Sequence, residues 1–139
     1  MRAYTRFIMS DCYCIILRNA SRKVTALYDA ALEPFGVTLA QFSLLRRIKR
    51  REPISITELA HLAELDRSTM GRNVKVLERH GLVQAIAGTD QREAAVILTD
   101  AGRRVLIDAA PAWDGVQAGI EARLGPSGVE HLHQLLEAL

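Results

Sequence analysis

The chain has 139 residues, of which 49% are hydrophobic, 24% charged and only 5% aromatic. That is enough apolar material for one domain plus an assembly arm, and too little aromatic surface for a platform that stacks single-stranded bases. The net charge of +2 permits nucleic-acid binding without demanding it, and the two cysteines, Cys12 and Cys14, stand too close in sequence to staple a fold. No apolar run reaches membrane-spanning length and the first residues lack the apolar core of a signal peptide, so a cytoplasmic location is expected.

Residues 1–10 read as a loose arm. Ser10 or Asp11 is placed to cap a first helix running to about Leu32, whose apolar positions Leu17, Ala20, Val24, Leu27 and Ala31 alternate steps of three and four, a seam for another helix. Pro34 and Gly36 then break the chain. Thr38 and Gln41 have capping-box spacing and start a second helix, with Phe42, Leu45 and Ile48 on its buried side. That helix ends in the basic run Arg46-Arg47-Ile48-Lys49-Arg50-Arg51, which fits a solvated helix end or a phosphate contact. Pro53 and Ile54 make a short extended link. Ser55 and Glu58 repeat the capping-box spacing, and Leu59, Leu62 and Leu65 mark a short third helix.

Asp66 is the expected N-cap of the next helix. Met70, Val74 and Leu77 share one face of it, while at about 100° per residue Ser68, Arg72, Lys75 and Arg79 fall on the other; Gly81 ends it. A greasy side holds this helix down and a basic, hydrogen-bonding side faces out, which suits reading base edges and gripping phosphates in a major groove. Two short helices joined tightly, the second with such a face, make a helix-turn-helix. Arg72 and Lys75 are expected to meet bases or phosphates, with Arg67, Ser68, Thr69 and Asn73 adding polar contacts.

Beyond Gly81 the pattern becomes extended. Residues 82–86 and 94–98 are rich in branched side chains and flank turn formers Gly88, Thr89 and Asp90, so a β-hairpin is expected, with Arg92 near its tip for a narrow minor groove and Asp90 to pair with it. Thr99 caps a long helix carrying Val105, Ala109, Trp113, Val116, Ile120 and Leu124; Pro111 should kink it, and Gly125 and Pro126 should break it before a last helix with Val129, Leu132, Leu136 and Leu139. Both ends thus carry seams too long for a small domain to bury alone, and a homodimer with interlocked terminal helices is the natural solution. Charge divides the same way: residues 43–92 carry a net +4 and residues 105–139 a net −4. The fold class expected is mostly α with a small β-hairpin wing: a winged helix-turn-helix over 34–99, with helical dimerisation regions over 1–33 and 100–139.

This order of elements resembles the MarR family of bacterial transcription regulators. The resemblance covers nearly the whole chain, and its most specific residues are Asp90-x-Arg92, then Val96-x-Leu98-Thr99-x-x-Gly102, with Leu77-Glu78-Arg79-x-Gly81-Leu82-Val83 before them. It implies a dimer on double-stranded, pseudo-palindromic operator DNA, with reading helices one DNA turn apart, about 34 Å. It also implies a repressor released by a small-molecule effector or an oxidant, and a pocket between the dimer helices and the DNA-binding lobe, with Tyr28 and Phe42 as walls. The N-terminal residues Cys12-x-Cys14, Leu17-Arg18-x-Ala20, Leu27-Tyr28-Asp29 and Gln41-Phe42 resemble one subgroup. Cys14 and Tyr28 match the reactive cysteine and one partner tyrosine of the organic-hydroperoxide-sensing branch, whose second tyrosine falls at Arg18, a departure from that branch.

Three roles are open for Cys12 and Cys14: small apolar residues in a core or interface, an oxidation sensor at a helix N-terminus with Arg18 one turn on, or ligands of a soft metal. Residues two apart on a helix point to different sides, which opposes a metal site, and His61, His80, His131 and His133 lack zinc spacing; no metal and no cofactor is expected. Two other classes compete with the regulator. A thiol-dependent redox enzyme using Cys14 needs a base near the thiol, and no histidine is close to it in sequence. An interaction adaptor would keep the fold without the DNA binding.

Overall fold

The computed structural model describes residues 12–87 and 93–139. Among the described residues, five α-helices and three short strands follow in the order α1 (Tyr13–Leu32), a 3-10 turn (Glu33–Phe35), α2 (Leu39–Arg51), β1 (Ile54–Ser55), α3 (Ile56–Leu62), α4 (Arg67–Arg79), β2 (Val83–Ala87), β3 (Ala94–Leu98) and α5 (Asp100–Glu137). The expected class holds: mostly helix, with a small antiparallel sheet.

Helix α1 opens later than expected. Its N-cap is Cys12, whose side chain makes no capping bond; Ser10 and Asp11 lie outside the described residues. Of its 20 residues only Tyr28 and Leu32 are buried, and Leu17, Val24 and Leu27 are 48%, 38% and 40% exposed. The predicted seam therefore faces away from its own chain, as a surface awaiting another helix does. At α2 both halves of the Thr38–Gln41 box form. Asp29 on α1 adds a third cap, accepting from the Leu39 amide at 2.7 Å, so the arm is fastened to the start of the lobe.

The link at Pro53 and Ile54 is more than a connection. Ile54 and Ser55 form a strand that pairs with β3 opposite Val96 and Ala95, giving the sheet order β1-β3-β2. Two residues are too short to show the alternation by which a strand is read. Ile54 is nonetheless 1% exposed, so the pairing also buries a large side chain. At α3 only half of the expected capping box forms: Ser55 accepts from the Glu58 amide, but the Glu58 carboxylate lies 3.9 Å from Arg51 instead.

Helices α3 and α4 end the same way. After α3, Glu64 takes a left-handed φ of 55° while the Leu65 amide donates to Ala60 O at 3.0 Å; after α4, Gly81 takes φ 73° while Leu82 donates to Leu77 O at 3.0 Å. Each is a Schellman-type stop. The first throws Leu65 outward, 43% exposed, so it does not continue the stripe of Leu59 and Leu62.

The core gathers Leu32, Leu45, Ile48, Ile54, Leu59, Met70, Leu77 and Val96, each under 2% exposed, and continues into Leu106 and Ala109 of α5. Thr99 caps α5 by accepting from the Gly102 amide at 3.1 Å. Pro111 lies within α5, where the departure from helical dihedrals is instead at Gly125 (φ 70°, ψ 166°), separating residues 100–124 from 126–137. The expected break is at its expected place. The last segment exposes Leu132, Leu135, Leu136 and Leu139, at 43%, 60%, 50% and 90%.

Candidate DNA-binding surface

Helix α4 is seated by Met70, Val74 and Leu77, which are 1%, 5% and 0% exposed. That fixes its rotation, and Ser68, Arg72, Asn73, Lys75 and Arg79 are consequently exposed. Its start is organised by Asp66, whose Oδ2 accepts from the Thr69 amide at 2.9 Å and the Ser68 hydroxyl at 2.5 Å, while Oδ1 accepts from the Thr69 hydroxyl at 2.6 Å. The Ser68 bond first, then the two from Thr69, hold the Asp66 carboxyl well below the usual carboxylate range. Thr69 Oγ1 in turn accepts from Arg72 Nη2 at 3.2 Å. The hydroxyls expected as free polar contacts are thus already engaged in shaping the first turn, and Arg72 is braced from beneath.

Arg67, at the first helical position, is also held. Its Nε donates to Thr57 Oγ1 at 3.2 Å and its Nη2 lies 3.7 Å from Glu93 Oε1. The same Glu93 oxygen accepts from the Thr57 amide at 3.2 Å and the Thr57 hydroxyl at 2.5 Å. These bonds, led by the Thr57 hydroxyl, lower the Glu93 carboxyl from its ordinary value. Asp90 and Arg92, the expected wing contacts, lie outside the described residues, as do turn formers Gly88 and Thr89.

The basic run on α2 is divided. Arg47 donates to Leu62 O at 3.0 Å and Arg51 faces Glu58. Arg46 turns toward α5, its guanidinium carbon 4.5 Å from the Trp113 ring centroid and 5.9 Å from that of Phe42. Here α2 and α5 leave a cleft of about 400 Å³, with Phe42, Arg46, Lys49, Arg50, Trp113 and Asp114 among its walls. Phe42 is a wall residue as the resemblance implied. Tyr28 stands behind the cleft: it is 8% exposed, its hydroxyl donates to Gln117 Oε1, and its ring lies 6.1 Å from that of Trp113. Burial first, then the negative Glu121, pushes its phenol above the ordinary value.

Cys12 and Cys14 are both exposed, and Arg18 Nη2 lies 3.8 Å from Cys14 Sγ. Cys14 and Tyr28 are not brought together within one chain, because fourteen residues of helix separate them by about 21 Å. Among the described residues no group of three or more His, Cys, Asp or Glu is arranged to hold a metal ion, and no helix is long and apolar enough to cross a membrane.

Residues that sequence reasoning passed over are Thr57, Glu93, Gln117 and the Arg46–Trp113 pair. Their partners lie 36, 36, 89 and 67 positions away or at the far side of a turn, and no local pattern announces them.

A seated basic helix, a short helix before it and a three-stranded sheet behind it define a winged helix-turn-helix protein. A model of the MarR family matches residues 37–93. An HTH-type transcriptional repressor of Mycobacterium tuberculosis, Rv2887, is 31% identical over 112 residues, covering 80% of this chain and 81% of the relative. The chain belongs to the MarR family of winged helix-turn-helix transcriptional regulators. It is also 31% identical to the uncharacterized HTH-type regulator YwoH of Bacillus subtilis, over 60% of this chain and 61% of that protein's length. Among solved structures, the regulator MosR of M. tuberculosis in complex with DNA is 38% identical, with a TM-score of 0.76 over 92% of this chain and 98% of its own. A probable transcriptional regulator of Pseudomonas aeruginosa is 29% identical, with a TM-score of 0.84 over 94% and 98%.

Proposed function

We propose that this protein is a homodimeric repressor that binds a pseudo-palindromic operator in double-stranded DNA and leaves it when an effector fills the cleft or a cysteine is oxidised. The observation that carries the DNA binding is the seating of α4: three buried apolar residues turn Arg72, Lys75 and Arg79 outward on one exposed face. Likeness to a regulator solved with DNA supports the same reading. In this reading residues 34–99 form the DNA-binding lobe, and residues 1–33 with 100–139 form the dimerisation region, whose exposed leucines meet a second copy. The wing residues Asp90 and Arg92, outside the described residues, would add a minor-groove contact.

The cleft favours an anionic, partly aromatic effector, since three cations and two aromatic rings outweigh one carboxylate, Asp114, on its walls. Oxidation is the second route. The Cys14 thiolate, beside Arg18 and in the first turn of α1, attacks a peroxide oxygen, becomes a sulfenic acid and releases the alcohol as its alkoxide.

The test is selection of bound duplexes from random fragments, followed by anisotropy titration across a salt series. Specific binding is expected, with log K falling linearly in log salt by about 0.9 per neutralised phosphate. Repeating the titration with an organic hydroperoxide should release DNA from the wild type but not from Cys14→Ser. Binding to no duplex at any salt overturns the regulator reading, and turnover of peroxide with a thiol reductant would establish an enzyme instead.

A further inference from the structure

The wing and the reading helix are joined by one acidic side chain. Glu93 stands immediately before β3, at the loop end of the hairpin, and its Oε1 meets two other elements: the amide and hydroxyl of Thr57 in the first turn of α3, and the guanidinium of Arg67, the first residue of α4. Thr57 closes the triangle by accepting from Arg67 Nε. The Thr57 amide is one of the free N–H groups of a helix start, so the carboxylate also completes the capping of α3 that Ser55 begins. β1 and β3 pair alongside, at Ser55 and Ala95, which keeps the start of β3 against α3.

On the DNA-binding reading, an acid beside Arg67 is out of place by charge alone. Unpaired, it repels the phosphates that the neighbouring cations attract. Resting on the DNA-binding reading above, we propose that Glu93 is a positioning residue for DNA binding. With Thr57 it pins Arg67 sideways, between α3 and the wing, so that the remaining N–H groups meet a backbone phosphate rather than a base edge. The Arg67 side chain is 65% exposed and Glu93 30%, which leaves the outer edge of the guanidinium open while its inner edge is occupied. A fork held at Nε and one Nη loses less rotamer freedom when it binds a phosphate than a free arginine does.

The two views give opposite signs. If Glu93 acts only through its charge, Glu93→Gln removes a repulsion, tightens DNA binding and steepens the salt dependence. If it positions Arg67, the same substitution weakens binding. An exposed ion pair supports a loss of roughly twofold to fivefold. The slope of log K against log salt becomes shallower by up to about one as the Arg67 phosphate contact is lost. The experiment measures binding of one selected duplex across a salt series for wild type, Glu93→Gln, Arg67→Ala and the double variant, at a temperature where circular dichroism shows all four folded.

The expected result is weakening by Glu93→Gln in the wild-type background, and no weakening once Arg67 is alanine. Tightening or unchanged affinity in the wild-type background overturns the proposal, as does equal weakening in both. Glutamine keeps an acceptor for Thr57 and removes the charge that holds Arg67, so the variant separates the ion pair from the capping of α3. Failure of wild type to bind duplex DNA would instead remove the reading on which the proposal rests.

Discussion

The Arg46 guanidinium lies over the Trp113 ring, 4.5 Å from its centroid, and so clasps the DNA-binding lobe to the long C-terminal helix across the cleft they line. Trp113 is the only tryptophan of the chain, which makes this contact directly observable. Benzoate, a small aromatic carboxylate, is expected to compete for Arg46 and change the fluorescence of Trp113. Arg46→Ala should weaken that response by about tenfold or more, the scale of a lost charge-assisted hydrogen bond. A signal unchanged up to saturating benzoate, together with undiminished DNA binding, would count against an anionic effector in this cleft.

Gly102 is required by distance. A Cβ there would stand 2.1 Å from the Leu82 carbonyl oxygen, a backbone atom that accepts from the Thr99 amide and has little room to withdraw. Gly102→Ala is expected to destabilise the fold by about 1–3 kcal/mol or more, read from the urea midpoint at unchanged m-value. A midpoint equal to the wild type would mean that α5 slides freely over the end of α4.

Arg72 is braced by Thr69 and exposed on the reading face. If it meets a guanine, Arg72→Ala should cost about 1–3 kcal/mol of operator affinity and relax preference at one base position. Thr69→Val, which removes the brace, should reproduce part of that loss. A titration in which Arg72→Ala binds as wild type removes the base-reading role.

Acid should loosen the start of the reading helix. Asp66 and Glu93 both have folded-state values below their ordinary ones, because hydrogen bonds favour their charged forms. Their contributions are fully present above the unfolded carboxylate range, about pH 4, and are lost as pH falls through the lower folded values. Stability to urea should therefore decline on going from pH ~6 to pH ~3. Asp66→Asn, still a good N-cap, should flatten that decline. An equally steep decline in the variant would place the acid sensitivity elsewhere.

Much of the fold was legible because its signals are local. The Thr38–Gln41 and Asp66 caps, the Met70-Val74-Leu77 stripe, and the stops at Gly81 and Gly125 depend on neighbours three or four residues apart, and each is found where its spacing puts it. Non-local features were not. β1 is held by Val96 and Ala95, some forty residues on. The partner of Glu58 is Arg51 rather than its own helix start. The basic face of α4 was visible as a pattern of residue types, but the engagement of Arg67 by Thr57 and Glu93 depends on how three elements converge.

One hydroxyl bears on how any signal would travel. Thr99 Oγ1 accepts from the Gly102 amide at the head of α5 and donates to Gly81 O, just past the foot of α4, at 2.6 Å. With the Thr99 amide donating to Leu82 O beside it, the two helices share a narrow pivot centred on one residue. In the proposed repressor, a tilt of the long lever would be handed to the rod meant for the duplex, and a small rotation far from the DNA would then suffice to spoil the spacing of a two-fold grip.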